Sequence, residues 1–304
     1  MHFDITDLRL LAAIAETNNL TRGAERCHLS PAAASVRIKN IEESIGAKLL
    51  LRSSQGVTLT APGQACVHHA RIVIAQLEHL GNDIREYGRG IKGHLRLCAS
   101  VTAIAEYLPA VLGRFLSTHS DVSIDLRERP SPEVVRAVSE GKADLGIIAG
   151  PVRTEALAVR PWRTDRLVLV VPRGHVLSGA TSVSFAQTLN HDYVCLPEGT
   201  GLYAFVMQQV RELGQTINMR VQIGNFEACC RMIAEHIGIG IIPLSAALRL
   251  SQQNVVEIVP LSDEWALRKL SLCARSFSLL PGFARDLVEL LEAEASLSEE
   301  SSSR

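Results

Sequence analysis

The chain has 304 residues, of which 47% are hydrophobic and 21% are charged, and its formal net charge is −1 at pH 7. This length predicts two or three domains, and this composition is typical of a folded globular protein and excludes a disordered or collagen-like one. The first residues carry charged side chains instead of a signal sequence, and no run of about 18 apolar residues predicts a membrane span. We therefore expect a cytoplasmic protein that does not bind membranes.

The seven cysteines are an odd number and have no Cys-x-x-Cys spacing. Because cytoplasmic thiols stay reduced, the sequence predicts neither a disulfide framework nor a structural zinc site. We expect these side chains to be small buried hydrophobic groups.

Helical periodicity dominates residues 1–62. Ser30 is a typical helix N-cap, Pro31 suits the first helical position and Gly46 is a typical stop, so the sequence predicts a helix over about 31–45. The segment "LLLRSSQGVTLT", residues 49–60, predicts two short strands around a Ser-Ser-Gln-Gly turn. Between residues 20 and 60 the basic side chains outnumber the acidic ones by three, a modest patch that suits phosphate contacts.

The helix over 31–45 has two distinct faces. One stripe is apolar and is predicted to face the core: Ala34, Ile38, Ile41 and Ile45. The opposite face is small or polar and is predicted to be free for a partner: Ala32, Ser35, Val36 and Lys39.

Residues 63–89 carry apolar side chains at alternating spacings of four and three, which is a heptad pattern. The heptad residues are Cys66, Ala70, Val73, Leu77, Leu80 and Ile84. The pattern favours a linker helix that pairs with a second copy of itself; the alternative is one helix packed on its own globular domain. The segment "GRGIKG", residues 88–93, then predicts a helix end and a hinge.

Strand-like and helix-like apolar runs alternate from residue 93 to about 295, which favours an α/β sheet with crossover helices. The segment "RPWRTDRLVLVVP", residues 160–172, predicts strands without an intervening helix. We therefore predict two α/β lobes with a cleft between them, lobe one over about 93–161 and 268–295 and lobe two over about 162–267. The polar residues 296–304 predict a disordered tail.

Two helices joined by a short turn are typical of a helix-turn-helix, whose second helix enters the major groove of DNA. The segment "LRLLAAIAETNNLTRGAERCHLSPAAASVRIKNIEESIGAKLLLRSSQGVTLTAPG" closely resembles the winged helix-turn-helix of LysR-type transcriptional regulators. Matching residues run through its whole length, among them Ser30, Ser35, Glu42, Gly46 and Gly63. The segments "EGKADLGIIAG" and "MIAEHIGIGIIP" resemble parts of the family's two effector-domain lobes, so the resemblance covers about residues 4–293.

The resemblance implies a fold and a function. The fold is a mainly α winged helix-turn-helix domain (1–62), a long linker and dimerisation helix (63–89) and a two-lobed α/β effector-binding domain (93–295) like type-2 periplasmic binding proteins. The function is a transcriptional regulator whose promoter binding is modulated allosterically by a small-molecule effector. Its partners would be double-stranded DNA, the effector, RNA polymerase and copies of itself, as a dimer through the linker helix and as a tetramer.

The resemblance also implies a set of DNA-binding residues on the second helix and the wing. These are Ser30, Pro31, Ala32, Ser35, Val36, Arg37, Lys39, Arg52 and Gln55. Hydroxyl and basic groups suit base edges and phosphates, whereas Ala32 and Val36 suit thymine methyl groups. Because the family often has Gln where this chain has Pro31, and a polar residue where it has Val36, we expect more readout through methyl contacts and DNA shape.

Ligands of such α/β lobes lie outside the carboxyl ends of strands, near helix N-termini. The expected effector-binding residues are Ser100, Val101, Thr102, Ile148, Gly199, Thr200, Asn225 and Phe226. Hydroxyls beside free helix amides favour a carboxylate or another small anion. Plain helix capping is the alternative role for Ser100 and Thr102.

Three other functions compete with this prediction. A cytoplasmic solute-binding protein would need only the lobes. A redox- or metal-responsive regulator could use Cys195, Cys229 or Cys230, although the peroxide-sensing branch of the family places its reactive cysteine where Gly201 stands here. No catalytic triad, paired carboxylates, phosphate loop or metal-ligand spacing points to an enzyme, so we expect no catalytic residues, metal ligands or cofactor.

Overall fold

The computed structural model describes residues 4–53, 56–87, 93–154, 157–251 and 256–302. The chain forms two compact units, Met1–Gly93 with Ser139–Lys142, and His94–Val138 with Ala143–Arg304. None of the helices in these ranges is long and apolar enough to cross a membrane.

The first unit begins with three helices: α1 (Ile5–Thr17), α2 (Leu20–Arg26) and α3 (Pro31–Ile45). Helix α3 begins and ends as predicted, because the Ser30 hydroxyl accepts a hydrogen bond from the Ala33 amide at 3.2 Å and Gly46 takes a left-handed φ of 74°. The predicted apolar stripe is buried at Ala34, Ile38 and Ile41. Ile45 is exposed, so its predicted place in the core is wrong. Helix α3 ends at this residue, and its side chain is not covered by the rest of the unit.

A hairpin of β1 (Leu50–Ser53) and β2 (Gly56–Leu59) follows α3, which confirms the two predicted strands. The hairpin leads directly into α4 (Ala61–Tyr87). A Cβ atom on Gly63 would lie 2.1 Å from the Leu49 carbonyl oxygen, so only glycine lets α4 approach the hairpin this closely. This is the arrangement of a winged helix-turn-helix.

The carboxylate of Glu42 joins α3 to the hairpin. It is 8% exposed and accepts hydrogen bonds from the amides of Leu49 and Leu50, at 2.9 and 3.2 Å, and from Lys48 Nζ at 2.6 Å. These bonds satisfy a buried charge and fix the first residues of the wing against the helix.

Helix α4 changes its surroundings along its length. Val67 and Ala70 are buried against the rest of the first unit, whereas Val73, Leu80 and Ile84 are exposed large hydrophobic residues at heptad positions. The exposed positions are those that the sequence predicts for pairing with a second copy. Most of the predicted hinge, residues 88–92, lies outside the described residues.

The second unit contains nine strands, seven α-helices and two short helical turns in its described ranges. In chain order they are β3 (Gly93–Ala99), a π-helical turn (Ala103–Tyr107), α5 (Leu108–Thr118), β4 (Val122–Glu128), α6 (Ser131–Ser139), β5 (Leu145–Ala149), β6 (Ala158–Pro172), α7 (Phe185–Thr188), β7 (Asp192–Cys195), α8 (Gly201–Glu212), β8 (Asn218–Gln222), α9 (Phe226–Ala234), β9 (Gly240–Pro243), α10 (Leu244–Ser251), β10 (Val256–Pro260), a 3-10 turn (Glu264–Ala266), β11 (Leu267–Ala274) and α11 (Gly282–Ser302).

The strands form a seven-stranded sheet in the order β10-β6-β11-β5-β3-β4, with β9 also paired to β6, and a separate parallel pair of β7 and β8. Each lobe has its own hydrophobic core. The core of lobe one is built around Phe115 and Leu287, and the core of lobe two around Phe185 and Tyr193. The continuous apolar run of β5 is buried on both faces, as in parallel sheets covered by helices. The predicted two-lobed α/β architecture is confirmed.

Strand β6 belongs to both lobes. It pairs with β11 from Ala158 to Arg166 and with β9 and β10 from Leu167 to Pro172. The chain therefore passes into lobe two between Arg166 and Leu167, later than the predicted boundary at 161–162, and returns through β11.

The C-terminal segment differs from its prediction. Helix α11 continues to Ser302, so the disordered tail expected over residues 296–304 is wrong for 296–302. No glycine or proline follows Gly282 in this segment, so no residue with a low helix propensity stops the helix.

We predict that Glu42→Gln lowers the free energy of unfolding of the first unit by about 1 to 3 kcal/mol, because it removes a charged acceptor of three hydrogen bonds. The exposed neighbour Glu43, paired with Lys39 at 3.5 Å, is the matched control, and Glu43→Gln should cost under about 0.5 kcal/mol. Both tryptophans, Trp162 and Trp265, lie in the second unit, so urea unfolding followed by circular dichroism should shift while tryptophan fluorescence does not. Equal effects of the two substitutions would contradict the role of Glu42.

The same carboxylate predicts a pH dependence. Burial raises the pKa of Glu42, but the hydrogen bonds from Lys48, Leu49 and Leu50 outweigh it and hold the pKa below its ordinary value. A depressed folded-state pKa contributes stability above the unfolded pKa of about 4.3, and this contribution is lost as the pH falls through the folded value. The difference in unfolding free energy between the native chain and Glu42→Gln should therefore shrink below about pH 4. A constant difference from neutral to acid pH would show that the charge is not responsible.

Candidate functional site

The start of α3 and its outer face are open to solvent. Pro31 and Ala32 are exposed, Ser35 is half-buried, and Val36 and Lys39 are 57% and 70% exposed. The structure thus brings these predicted DNA-binding residues together on one face, with the Ser30 cap at its end. An apolar side chain exposed at the centre of a polar helix face suits a contact with another apolar group.

A groove of about 430 Å³ extends this face toward the hairpin. Its lining residues are Ser35, Val36, Lys39, Glu42, Lys48 and Leu50. Sequence reasoning missed the contribution of Lys48, whose side chain is exposed while its Nζ atom holds Glu42. Only the folding of the hairpin onto α3 places this amine beside the groove.

Arg37 is a correction to the predicted set. Its Nη1 atom donates to Asp7 Oδ1 at 2.7 Å and to Asp4 Oδ2 at 3.2 Å. Asp4 and Asp7 also form the capping box of α1, so Arg37 joins α3 to the beginning of α1. Because two carboxylates already neutralise this guanidinium, we expect a structural ion pair in place of the predicted phosphate contact.

The wing residues are described only in part. Arg52 pairs with Val57 in the hairpin, but its side chain lies outside the described part of the structure, as does the whole of Gln55. Leu51, beside Arg52, is an exposed hydrophobic residue that sequence reasoning did not single out.

Ser100 joins the end of β3 to a helical run over residues 101–118, whose first turn contains Val101 and Thr102. We call residues 100–102 the Ser100 loop. Ser100 is 6% exposed and Thr102 is fully buried, and in the part of the chain that the structure describes the Ser100 hydroxyl has no hydrogen-bond partner. Thr102 makes no side-chain cap either. The capping alternative is therefore wrong for both side chains, and a buried hydroxyl is left for another partner.

Contacts from lobe two border this loop. Val101 packs against the core of lobe two. In the next loop a Cβ atom on Gly201 would lie 3.5 Å from Pro130 Cα of lobe one. Gly199 takes a φ of 94° and Thr200 caps α8 by accepting from the Tyr203 amide at 3.3 Å. The predicted residues Val101, Gly199 and Thr200 therefore lie where the lobes meet.

Three predicted effector residues are used elsewhere. Asn225 is exposed and caps α9, accepting from the Ala228 amide at 2.8 Å. Ile148 is buried in a cluster with Val134 and Val138 under α6, and Phe226 is buried in the core of lobe two. The predictions for Ile148 and Phe226 are wrong because hydrophobic burial turns both side chains away from the cleft.

Sequence reasoning missed a buried ion pair beside Thr102. Arg268 Nη2 donates to Asp165 Oδ2 and, at 3.3 Å, to Thr102 Oγ1. Two charged residues within apolar strand patterns were the available signal, since fully buried charges are rare unless paired. Their pairing depends on strand register, which the sequence does not reveal.

Two further contacts hold the lobes together. Arg249 Nη2 of α10 donates to Glu106 Oε1 at 2.7 Å, and Tyr107 Oη lies 3.5 Å from Ser245 Oγ. Glu106 and Tyr107 belong to the π-helical turn, a feature that is frequent at functional sites. The lobes are therefore joined by polar contacts at the edge of the cleft.

The cysteines near the cleft are poor redox candidates. Burial raises the pKa of Cys195 and of Cys230 to about 11, and it also raises the pKa of the fully buried Cys229. Thiols of this kind form little thiolate at neutral pH. Among the described residues, no group of three or more His, Cys, Asp or Glu side chains could hold a metal ion.

Two family models match the chain. The LysR substrate binding domain matches residues 88–296, and the bacterial regulatory helix-turn-helix protein of the lysR family matches residues 5–64. The first match covers most of the second unit, and the second match lies within the first unit. Both describe regulators and indicate no enzyme.

Known relatives are similar over most of their length. The RuBisCO operon transcriptional regulator of Allochromatium vinosum is 26% identical over 288 residues, covering 91% of this chain and 95% of that protein. The transcriptional activator IlvY of Salmonella typhimurium is 27% identical over 277 residues, covering 90% and 94%.

Solved structures share the fold. Full-length OxyR from Pseudomonas aeruginosa is 23% identical, covers 98% of this chain and 96% of its own, and has a TM-score of 0.59. CbnR, a LysR family transcriptional regulator, is 20% identical, covers 96% and 99%, and has a TM-score of 0.57. The winged helix, the linker helix, the two lobes and both family matches agree: the chain belongs to the LysR family of transcriptional regulators.

Proposed function

We propose that this regulator binds operator DNA with α3 and that a small anion, bound beside the Ser100 loop, modulates this binding. The observation that carries the effector site is the buried Ser100 hydroxyl without a hydrogen-bond partner, at the first turn of a helix. First-turn amides have no partner within a helix and carry partial positive charge. They favour a carboxylate or a similar anion.

The DNA-binding part of the proposal uses the exposed face of α3. Its proposed contacts are Ser30, Pro31, Ala32, Ser35, Val36 and Lys39, with Arg52 and Gln55 proposed from the sequence alone. Val36 would meet a thymine methyl group and Lys39 a phosphate. The full-length structure of CbnR in complex with its target DNA, at a TM-score of 0.51, supports this use of the fold.

The anionic effector is supported by two neighbours of the second unit. The regulatory domain of CcmR from Synechocystis PCC6803 is solved in complex with 2-PG, and the effector-binding domain of QuiR is solved with shikimate. Both ligands are small carboxylates. The proposed contacts in this chain are Ser100, Thr102 and Thr200, with Val101 and Gly199 shaping the loops.

We infer that the chain acts on DNA as a dimer or tetramer in the cytoplasm, in contact with RNA polymerase. Exposed Val73, Leu80 and Ile84 at heptad spacing support pairing of α4 with a second copy. Closure of the lobes around the effector would change the relative arrangement of the subunits. The buried cysteines, with their raised pKa values, do not support a redox signal, and the winged helix does not support a simple solute-binding protein.

We predict that Lys39→Gln and Arg37→Gln separate DNA contact from structure. The operator is first selected from random duplexes with the full chain, and its affinity is then measured over a series of salt concentrations. Loss of one phosphate contact should reduce the slope of log K against log salt by about 0.9 in Lys39→Gln. Arg37→Gln should leave the slope unchanged and lower the melting temperature instead. A reduced slope in Arg37→Gln would restore Arg37 as a phosphate ligand.

We also predict that a screen of small carboxylates by thermal shift identifies compounds that raise the melting temperature of the full chain and change its operator affinity. Ser100→Ala/Thr102→Ala should weaken that binding by roughly 10-fold or more, since it removes buried hydroxyl partners. Ser117→Ala/Thr118→Ala, on the exposed side of α5, is the matched control. Equal binding by both double variants would move the effector site away from the Ser100 loop.

A further inference from the structure

The ion pair of Asp165 and Arg268 lies at the hinge between the lobes. Asp165 on β6 and Arg268 on β11 face each other in register, just before β6 exchanges β11 for its lobe-two partners. Their side chains are 1% and 5% exposed. Taking two charges out of water is costly, so a pair at this position requires an explanation beyond packing.

The pair leaves hydrogen-bonding capacity unused. Arg268 Nε, Asp165 Oδ1 and Ser100 Oγ are all buried, and none of them has a hydrogen-bond partner among the described residues. These atoms are one donor, one acceptor and one hydroxyl that can act as either. Buried polar atoms are nearly always paired in folded proteins, so these three atoms are available to a bound ligand.

Arg268 connects the hinge pair to side chains of both lobes. Thr102 Oγ1 accepts from Arg268 Nη2, which connects the hinge pair to the Ser100 loop. On the lobe-two side, the Arg268 guanidinium lies 5.6 Å from the centre of the Phe205 ring. The Arg268 guanidinium therefore contacts both the Ser100 loop and helix α8.

The charge of the site restricts its ligand. The guanidinium and the carboxylate neutralise each other, so a simple carboxylate would add an unbalanced negative charge beside Asp165. It would also leave Asp165 Oδ1 without a donor. A hydroxyl donor next to the ligand carboxylate gives Asp165 Oδ1 a hydrogen-bond partner, and an ammonium donor at the same place also balances the added charge.

We propose that Asp165 and Arg268 are specificity-determining residues and that the effector is a 2-hydroxy or 2-amino carboxylic acid. The ligand carboxylate accepts from Arg268 and from the Ser100 loop, and the hydroxyl or ammonium group on the adjacent carbon donates to Asp165. Arg268 and Asp165 are hydrogen-bonded to each other and so lie side by side. The two ligand groups that they bind must therefore also be close together, on adjacent carbons. This inference rests on the proposed effector site and specifies its chemistry.

The test compares three probes of matched size, propanoate, 2-hydroxypropanoate and 2-aminopropanoate, by isothermal titration of the full chain, with both enantiomers of the latter two. We expect at least one substituted acid to bind roughly 10-fold more tightly than propanoate, because a hydrogen bond to a charged group discriminates by about this factor or more.

Asp165→Asn should reduce the preference for the substituted acid over propanoate to under about 3-fold, because it removes the charged acceptor of the ligand's hydroxyl or ammonium group. It should not weaken the binding of propanoate, because it also removes the repulsion between Asp165 and the ligand carboxylate. Arg268→Gln should weaken all three probes. Breaking a buried pair can unfold the chain, so the neutral double variant Asp165→Asn/Arg268→Gln provides a second measurement. We expect this double variant to bind the three probes with equal affinity. Lys269→Gln, the exposed neighbour on β11, is the control and should bind like the native chain.

Each outcome is decisive. Equal affinities for propanoate and the substituted acids would overturn the proposed chemistry and leave an anion-binding effector site intact. A preference that persists in Asp165→Asn or in the double variant would overturn the role of the hinge pair. Failure of all three probes to bind would overturn the inference, whereas the carboxylate screen and operator binding still test the proposed function separately.

Discussion

A single long strand that belongs to two lobes is the constraint on which the second unit depends. Because β6 exchanges β11 for β9 and β10 between Arg166 and Leu167, this short stretch of backbone connects the two cores. Polar groups that would be costly elsewhere are concentrated here, with the buried pair at the exchange and the Glu106–Arg249 contact at the cleft edge. The energetically expensive groups therefore lie where the two lobes are connected, which is where a hinge between lobes would bend.

In the first unit, by contrast, the polar contacts fix the secondary-structure elements to one another. Glu42 fixes the hairpin to α3, and Arg37 fixes α3 to the beginning of α1. The face of α3 that we propose for DNA contact is small and weakly polar. Rigid placement of a few methyl and hydroxyl groups favours recognition of groove shape over many independent base contacts.

Much of this organisation could be predicted from the sequence. Capping residues and apolar periodicity located α3, the hairpin and the alternation of strands and helices, because those signals are local. The errors have one physical origin. Ile148 and Phe226 lie at the expected chain positions but turn into cores, and Asp165 and Arg268 meet only through strand register. Which way a side chain turns at a strand end, and which strand lies beside another, are decided by tertiary packing.

The close approach of Gly63 to the Leu49 carbonyl has a mechanical consequence. It gives α4 one direction of departure from the wing, so the helix and the wing move as one rigid arm. A helix of 27 residues is about 40 Å long, and a tilt of roughly 5° at its far end displaces the wing by about 3 to 4 Å. That distance is close to the rise of one base pair, about 3.4 Å. For a wing that contacts DNA as proposed, a slight rotation at the remote end of the arm is therefore enough to move it by one step of the duplex.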